Sequence, residues 1–117
     1  MDRNEYRIHN LPVCNTGLQQ LVCNIANWHH DRNLVDGATD QAQYVKLIEE
    51  AGELAGNIAR GRDIRDDLGD MLVVMINIME RNGLTMEQCL DMAWHDIKDR
   101  KGRMVDGFFI KEADDVG

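Results

Sequence analysis

A chain of 117 residues is the size of one domain and is long enough to bury a core without disulfide or metal staples. Its 21 acidic residues against 13 basic ones leave a formal charge of −8, which argues against non-specific attraction to nucleic acid or an anionic membrane and suits a protein that holds cations. The absence of serine removes serine nucleophiles, and the single proline, Pro12, leaves everything after it free to be helical. Cys14, Cys23 and Cys89 form no CxxC pair and fit neither a zinc site nor a disulfide framework, so they read as small buried thiols in a reducing cytoplasm. The N-terminus lacks the basic-then-apolar pattern of a signal peptide, and no apolar run approaches the ~20 residues that span a bilayer, so the expected location is cytoplasmic.

Residues 1–15 read as an irregular arm. A first helix is predicted from about Thr16 to His30, with Leu18, Leu21, Val22, Ile25 and Trp28 at helical spacing. A loop follows from Asp31 to Thr39. A second helix runs from about Asp40 to Arg60, capped by Asp40 with Gln43 as reciprocal partner and stopped by Gly61. Its apolar stripe is Tyr44, Leu47, Ile48, Ala51, Leu54, Ala55 and Ile58. A third helix starts after Asp63 and stops at Asn82-Gly83, with Leu68, Met71, Leu72, Met75, Ile76 and Met79 as its stripe. Thr85 and Gln88 make a capping box for a fourth helix, expected to run to about Lys101 and to stop at Gly102. Asp106-Gly107 is a turn signal before Phe108-Phe109-Ile110, where a short hairpin can form ahead of an acidic tail. The expected fold is an all-α, four-helix bundle-like domain spanning 1–117.

The chemistry concentrates in residues 46–70, which hold seven acids and only four bases. Glu49, Glu50 and Glu53 share a helix face, because Glu53 lies one turn beyond the other two. Like charges at this spacing cost a helix about 0.2–0.5 kcal/mol per pair. Asp67 and Asp70 repeat the theme on the next helix. Solvated acids sit opposite an apolar stripe, whereas Glu50, Glu53, Asp67 and Asp70 lie at the edges of theirs, where an unpaired charge is expensive. A short connection makes the two helices an antiparallel hairpin and brings the acidic clusters near each other. A divalent cation would offset the repulsion, and carboxylate oxygens without histidine or thiolate favour Mg²⁺, with Mn²⁺ as a substitute. The bland alternative is a solvated acidic face.

A second constellation is basic. Lys98, Arg100, Lys101 and Arg103 give a local excess of positive charge in an acidic chain. They suit phosphate oxygens, although cations near a helix C-terminus also answer its dipole without any ligand. Asn77, two turns past Asp70, is a candidate substrate contact or a core amide. Trp28 can stack on a base or pack in a core or interface. His9, His29, His30 and His95 lack partners at ligand spacing and read as surface or capping residues. Gly52 and Gly56 among Ala51, Ala55 and Ala59 give the second helix a smooth face for close helix contact.

With those residues in view, the sequence resembles the all-α nucleoside triphosphate pyrophosphohydrolases of the MazG type. The resemblance rests on EExxE in Lys46-Leu47-Ile48-Glu49-Glu50-Ala51-Gly52-Glu53-Leu54 and on Asp67-Leu68-Gly69-Asp70-Met71-Leu72 after a spacer of residues 54–66. Gln43 fits as well, and Ile97 to Gly107 is similar to the C-terminal segment of small MazG-like proteins, phage-encoded ones included. The resemblance covers roughly residues 18–112 and departs from the family at Asp67, where glutamate is usual. It implies Mg²⁺-dependent hydrolysis of a (deoxy)nucleoside triphosphate to the monophosphate and pyrophosphate. By position it implies Glu50, Glu53, Asp67 and Asp70 as metal ligands and Glu49 as the residue that serves a second metal or orients the attacking water. Lys98, Arg100, Lys101, Arg103 and Lys46 would meet the phosphates. It also implies a homodimer or homotetramer, with no nucleic acid and no membrane as partner. The alternatives are a phosphoribosyl-ATP pyrophosphohydrolase or a dUTP/dCTP-specific hydrolase of the same superfamily, and, from another class, a non-enzymatic helical interaction module. A di-iron carboxylate bundle needs Glu-x-x-His motifs, which this sequence lacks.

Overall fold

A computed structural model of the chain describes residues 15–114. Four helices and one hairpin follow in order: α1 (Asn15–Asp31), α2 (Asp40–Ala59), α3 (Arg65–Arg81), α4 (Met86–Ile97), β1 (Gly102–Val105) and β2 (Phe108–Lys111), closed by a 3₁₀ turn over Glu112–Asp114. The all-α expectation holds, and the hairpin is present. The chain divides into two compact units after Leu84.

The first unit contains α1, α2 and α3. Each of these helices ends in the same backbone device, a residue in the left-handed region followed by paired amide-to-carbonyl bonds that close the last turn. Asn33 (φ 57°) serves α1, Gly61 (φ 66°) serves α2 and Gly83 (φ 67°) serves α3. In α2, the Gly61 amide donates to Ile58 at 3.1 Å and the Arg62 amide to Asn57 at 2.9 Å. The chain is therefore reversed within residues 60–64, and α3 returns antiparallel along α2.

The start of α2 differs from expectation. Its cap is Thr39, whose hydroxyl accepts from the Ala42 amide at 3.1 Å. Asp40 is instead the first helical residue and receives Arg81 Nε at 2.9 Å and Asn82 Nδ2 at 3.2 Å from the far end of α3. Those bonds, Arg81 first, hold its carboxyl below the usual carboxylate range.

The C-terminal half of α3 ties down the preceding connection. Arg81 Nη1 donates to the Val35 carbonyl. Asn77, which is fully buried, donates through Nδ2 to the Leu34 carbonyl at 2.8 Å. His29 Nε2 donates to the Val73 carbonyl at 3.0 Å. His29 is thus a buried residue joining α1 to α3, not a surface one. His30, exposed, donates to Glu80 at 3.0 Å. Among the described residues the buried apolar side chains are few, Val35, Val74 and Ile76. Tyr44, Val45, Ile48 and Ile58 on α2 and Leu68 and Leu72 on α3 remain exposed, although most were expected in an inward stripe. Cys23 is exposed rather than buried, Cys89 is half-buried, and Cys14 and His9 lie outside the described residues.

The second unit contains α4 and the hairpin. Thr85 and Gln88 form the expected capping box, with both reciprocal bonds present. Helix α4 stops at Ile97, four residues before the expected end, because Gly102 already pairs with Lys111 and the Lys101 carbonyl accepts from Glu112 at 2.8 Å. A side chain at position 102 would strike the Phe109 ring, with a Cβ placed 2.6 Å from it. Asp106 (φ 50°) and Gly107 (φ 84°) form the two-residue turn, whose left-handed pair matches the twist of the strands.

Candidate metal centre

The antiparallel return of α3 places its first turns beside the second half of α2. Glu50 and Glu53 reach across to Asp70, and one oxygen from each of the three lies within 4.8 Å of the others. Glu50 is buried, Asp70 half-buried and Glu53 exposed, so the trio runs from the interior to the surface. Glu50 Oε2 is enclosed without a hydrogen-bond partner. Its other oxygen lies 3.3 Å from Lys46 Nζ, which also stands 3.8 Å from Glu49.

The electrostatics record the crowding. The Glu53 carboxyl is pushed up chiefly by the neighbouring Glu50 carboxylate, and further by burial and by Asp67. Asp70 is pushed up by burial first, then by Asp66, Glu50 and Asp67. Lys46 answers with a raised value of its own, caused chiefly by Glu50. One lysine does not neutralise this many acids. An all-oxygen donor set with an enclosed, unpartnered carboxylate oxygen is what a hard divalent cation requires, and the residues present fit such an ion.

The remaining expected site residues fall in different places. Asp67 is buried and lies outside the converging trio, and Asn57 Nδ2 donates to both of its oxygens, at 3.1 and 3.0 Å. Glu49 is exposed and faces Lys46. Asn77 is completely buried, with Nδ2 on the Leu34 carbonyl and Oδ1 without a partner. Lys98, Arg100, Lys101 and Arg103 are exposed in the second unit, where Lys98 ends α4 and Arg100 Nη2 donates to Asp96 at 2.8 Å. Trp28 is covered on one face by the Arg32 guanidinium, 4.4 Å from the ring centroid. Asn57 was missed from the sequence. The available signal was its place one turn beyond Glu53, on the face that α3 meets.

A family model described as the MazG nucleotide pyrophosphohydrolase domain matches residues 38–104. That span holds every acid of the trio together with Lys46, Asn57 and Asp67. The chain belongs to the MazG family. The match leaves α1 outside and is narrower than the resemblance read from the sequence. An uncharacterized 18.2 kDa protein from the rep-hol intergenic region of Haemophilus phage HP1 (strain HP1c1) is 46% identical over 67 residues. The aligned part is 56% of this chain and 41% of the phage protein, so the chain matches well under half of that relative's length. No solved structure matches. The MazG assignment agrees with the mostly helical fold, and no helix among the described residues is long and apolar enough to cross a membrane.

Proposed function

We propose that this MazG domain hydrolyses a (deoxy)nucleoside triphosphate to the monophosphate and pyrophosphate, with Mg²⁺ as cofactor and Mn²⁺ as its substitute. The observation that carries this reading is the convergence of Glu50, Glu53 and Asp70 around an unpartnered buried oxygen within the MazG span. In the reaction, an oxygen of water forms a bond to phosphorus, the bridge between the α and β phosphates breaks, and pyrophosphate leaves. A divalent ion, when bound, supplies charge neutralisation for the phosphates and acidifies water. The three carboxylates hold it, Asp67 assists from alongside, and Glu49 orients the attacking water and takes its proton. Lys46, at the rim of the trio, steadies the phosphates. Lys98, Arg100, Lys101 and Arg103 are assigned the same task on the strength of charge alone.

The working form is proposed to be a homodimer or homotetramer in the cytoplasm, without nucleic acid or membrane as partner. The support is the apolar side chains of Tyr44, Val45, Ile48, Ile58, Leu68 and Leu72, which a single copy leaves exposed. The test of the reaction is a panel of the eight common ribo- and deoxynucleoside triphosphates, with and without Mg²⁺, scoring pyrophosphate and orthophosphate separately. Metal-dependent pyrophosphate with monophosphate is expected. A preference for dUTP or dCTP would narrow the substrate. Turnover of phosphoribosyl-ATP alone would move the enzyme to that reaction. No turnover of any of them would leave a helical interaction module.

A further inference from the structure

The acids of α2 and α3 form two rungs between antiparallel helices. Glu53 and Asp70 make one rung and, with Glu50, converge on a common point. Asn57, one turn further along α2, and Asp67, one turn earlier on α3, make the next. In the second rung the acid is satisfied by an amide rather than set against another acid. The amide donates to both oxygens and so takes away the carboxyl group's freedom to turn. Each of its oxygens spends one acceptor site on Asn57 and retains another. Asp67 is 7% exposed, which leaves its side chain little room for a second orientation.

We infer that Asn57 is a positioning residue of the metal centre, which holds Asp67 outside the direct ligand set so that it supports the ion through hydrogen bonds and charge. The inference rests on the divalent-ion reading of the trio. It divides the four family-implied acids into three that bind and one that is held. Groups that orient a metal site from outside its ligands affect affinity by about 10–100-fold when removed. The division therefore has a measurable order.

The test is Mg²⁺ binding to the full chain by calorimetry, in the absence of nucleotide, with circular dichroism as a check on folding. Asn57→Ala is expected to weaken Mg²⁺ binding by about 10-fold or more at unchanged helix content. In the double variant Asn57→Ala with Asp67→Glu, the extra methylene lets the freed carboxylate reach the ion directly, and affinity is expected to recover. A purely structural Asn57 would lower thermal stability without this recovery. Should Asn57→Ala fail to fold, Asp67→Asn in the presence of Asn57 keeps one oxygen on the amide and is expected to weaken Mg²⁺ less than Glu53→Gln does. Wild-type affinity in Asn57→Ala, no recovery in the double variant, or a loss in Asp67→Asn equal to that in Glu53→Gln would each overturn the role of Asn57. Absence of Mg²⁺ binding in the wild-type chain would overturn the metal reading itself.

Discussion

The two halves of α3 handle polar groups in opposite ways. Toward its C-terminus, buried or half-buried polar side chains meet partners of matching chemistry: Asn77 with the Leu34 carbonyl, Arg81 with Asp40 and Val35, and His29 with the Val73 carbonyl. The orphans there are an imidazole nitrogen, His29 Nδ1, and an amide oxygen, Asn77 Oδ1. Toward its N-terminus, Asp70 faces Glu50 and Glu53, and the orphan is a carboxylate oxygen. The first arrangement secures a connection to a helix. The second sets like charges against one another, with Lys46 as the near counter-charge. Polar burial by itself therefore does not single out the candidate metal centre; the unmatched carboxylates do.

Substitutions should separate the halves cleanly. The largest effect is expected at the acidic end, where Glu53→Gln and Asp70→Asn should each cut Mg²⁺-dependent turnover by more than the roughly 100-fold that outer-shell losses reach. Thermal stability of the metal-free protein should hold or rise, because one like charge is gone. A steady-state assay and a melting curve on the same preparation check both halves of the statement, and full turnover in either variant would remove that carboxylate from the mechanism. At the other end, Asn77→Ala should cost about 1–3 kcal/mol of stability, the usual result of deleting one partner of a buried hydrogen bond. It should leave Mg²⁺ affinity near the wild-type value. A denaturant titration with a parallel metal titration measures the contrast.

The smallest effect concerns acid. Asp40 is held below the usual range by its bonds to Arg81 and Asn82, and Asp63 is held at about 2, chiefly by the Arg65 side chain and then by its amide. A depressed folded value means that the stabilisation is present above the unfolded value near ~4 and is lost as pH falls through the folded one. The acid limb of stability should therefore lie below about pH 4, and Asp40→Asn should make it shallower. Asp63 is exposed and Asp40 only half-buried, so the change is expected to be slight and visible only as the slope of melting temperature against pH.

What could be read in the sequence was what depends on neighbours along the chain. Gly61, Asn82-Gly83, the Thr85/Gln88 box and the Asp106-Gly107 turn each act within a few residues, and each stands where expected. The EExxE and DxxD spacings also anticipate that Glu50, Glu53 and Asp70 come close together, because a helical face is local geometry. What could not be read depended on partners far away. Asp40 was an apt cap by composition, yet Arg81, 41 residues on, claims its carboxylate and leaves the cap to Thr39. His29 had no local mark of burial, since its partner is the backbone of Val73. Asn57 resembled any surface amide until α3 was laid against it.

Glu50 and Asp70 are only twenty residues apart in the chain, and the reversal between them is closed by the backbone of residues 57–62. Short loops close early in folding, before long-range packing rewards them. The hairpin that carries the acids is thus among the first structures the chain can make, and it must bring its like charges together at that early moment. A divalent ion bound by these acids would relieve the repulsion then as well as in the finished protein. Its mark would fall on how fast the chain refolds, not only on how long the native state lasts.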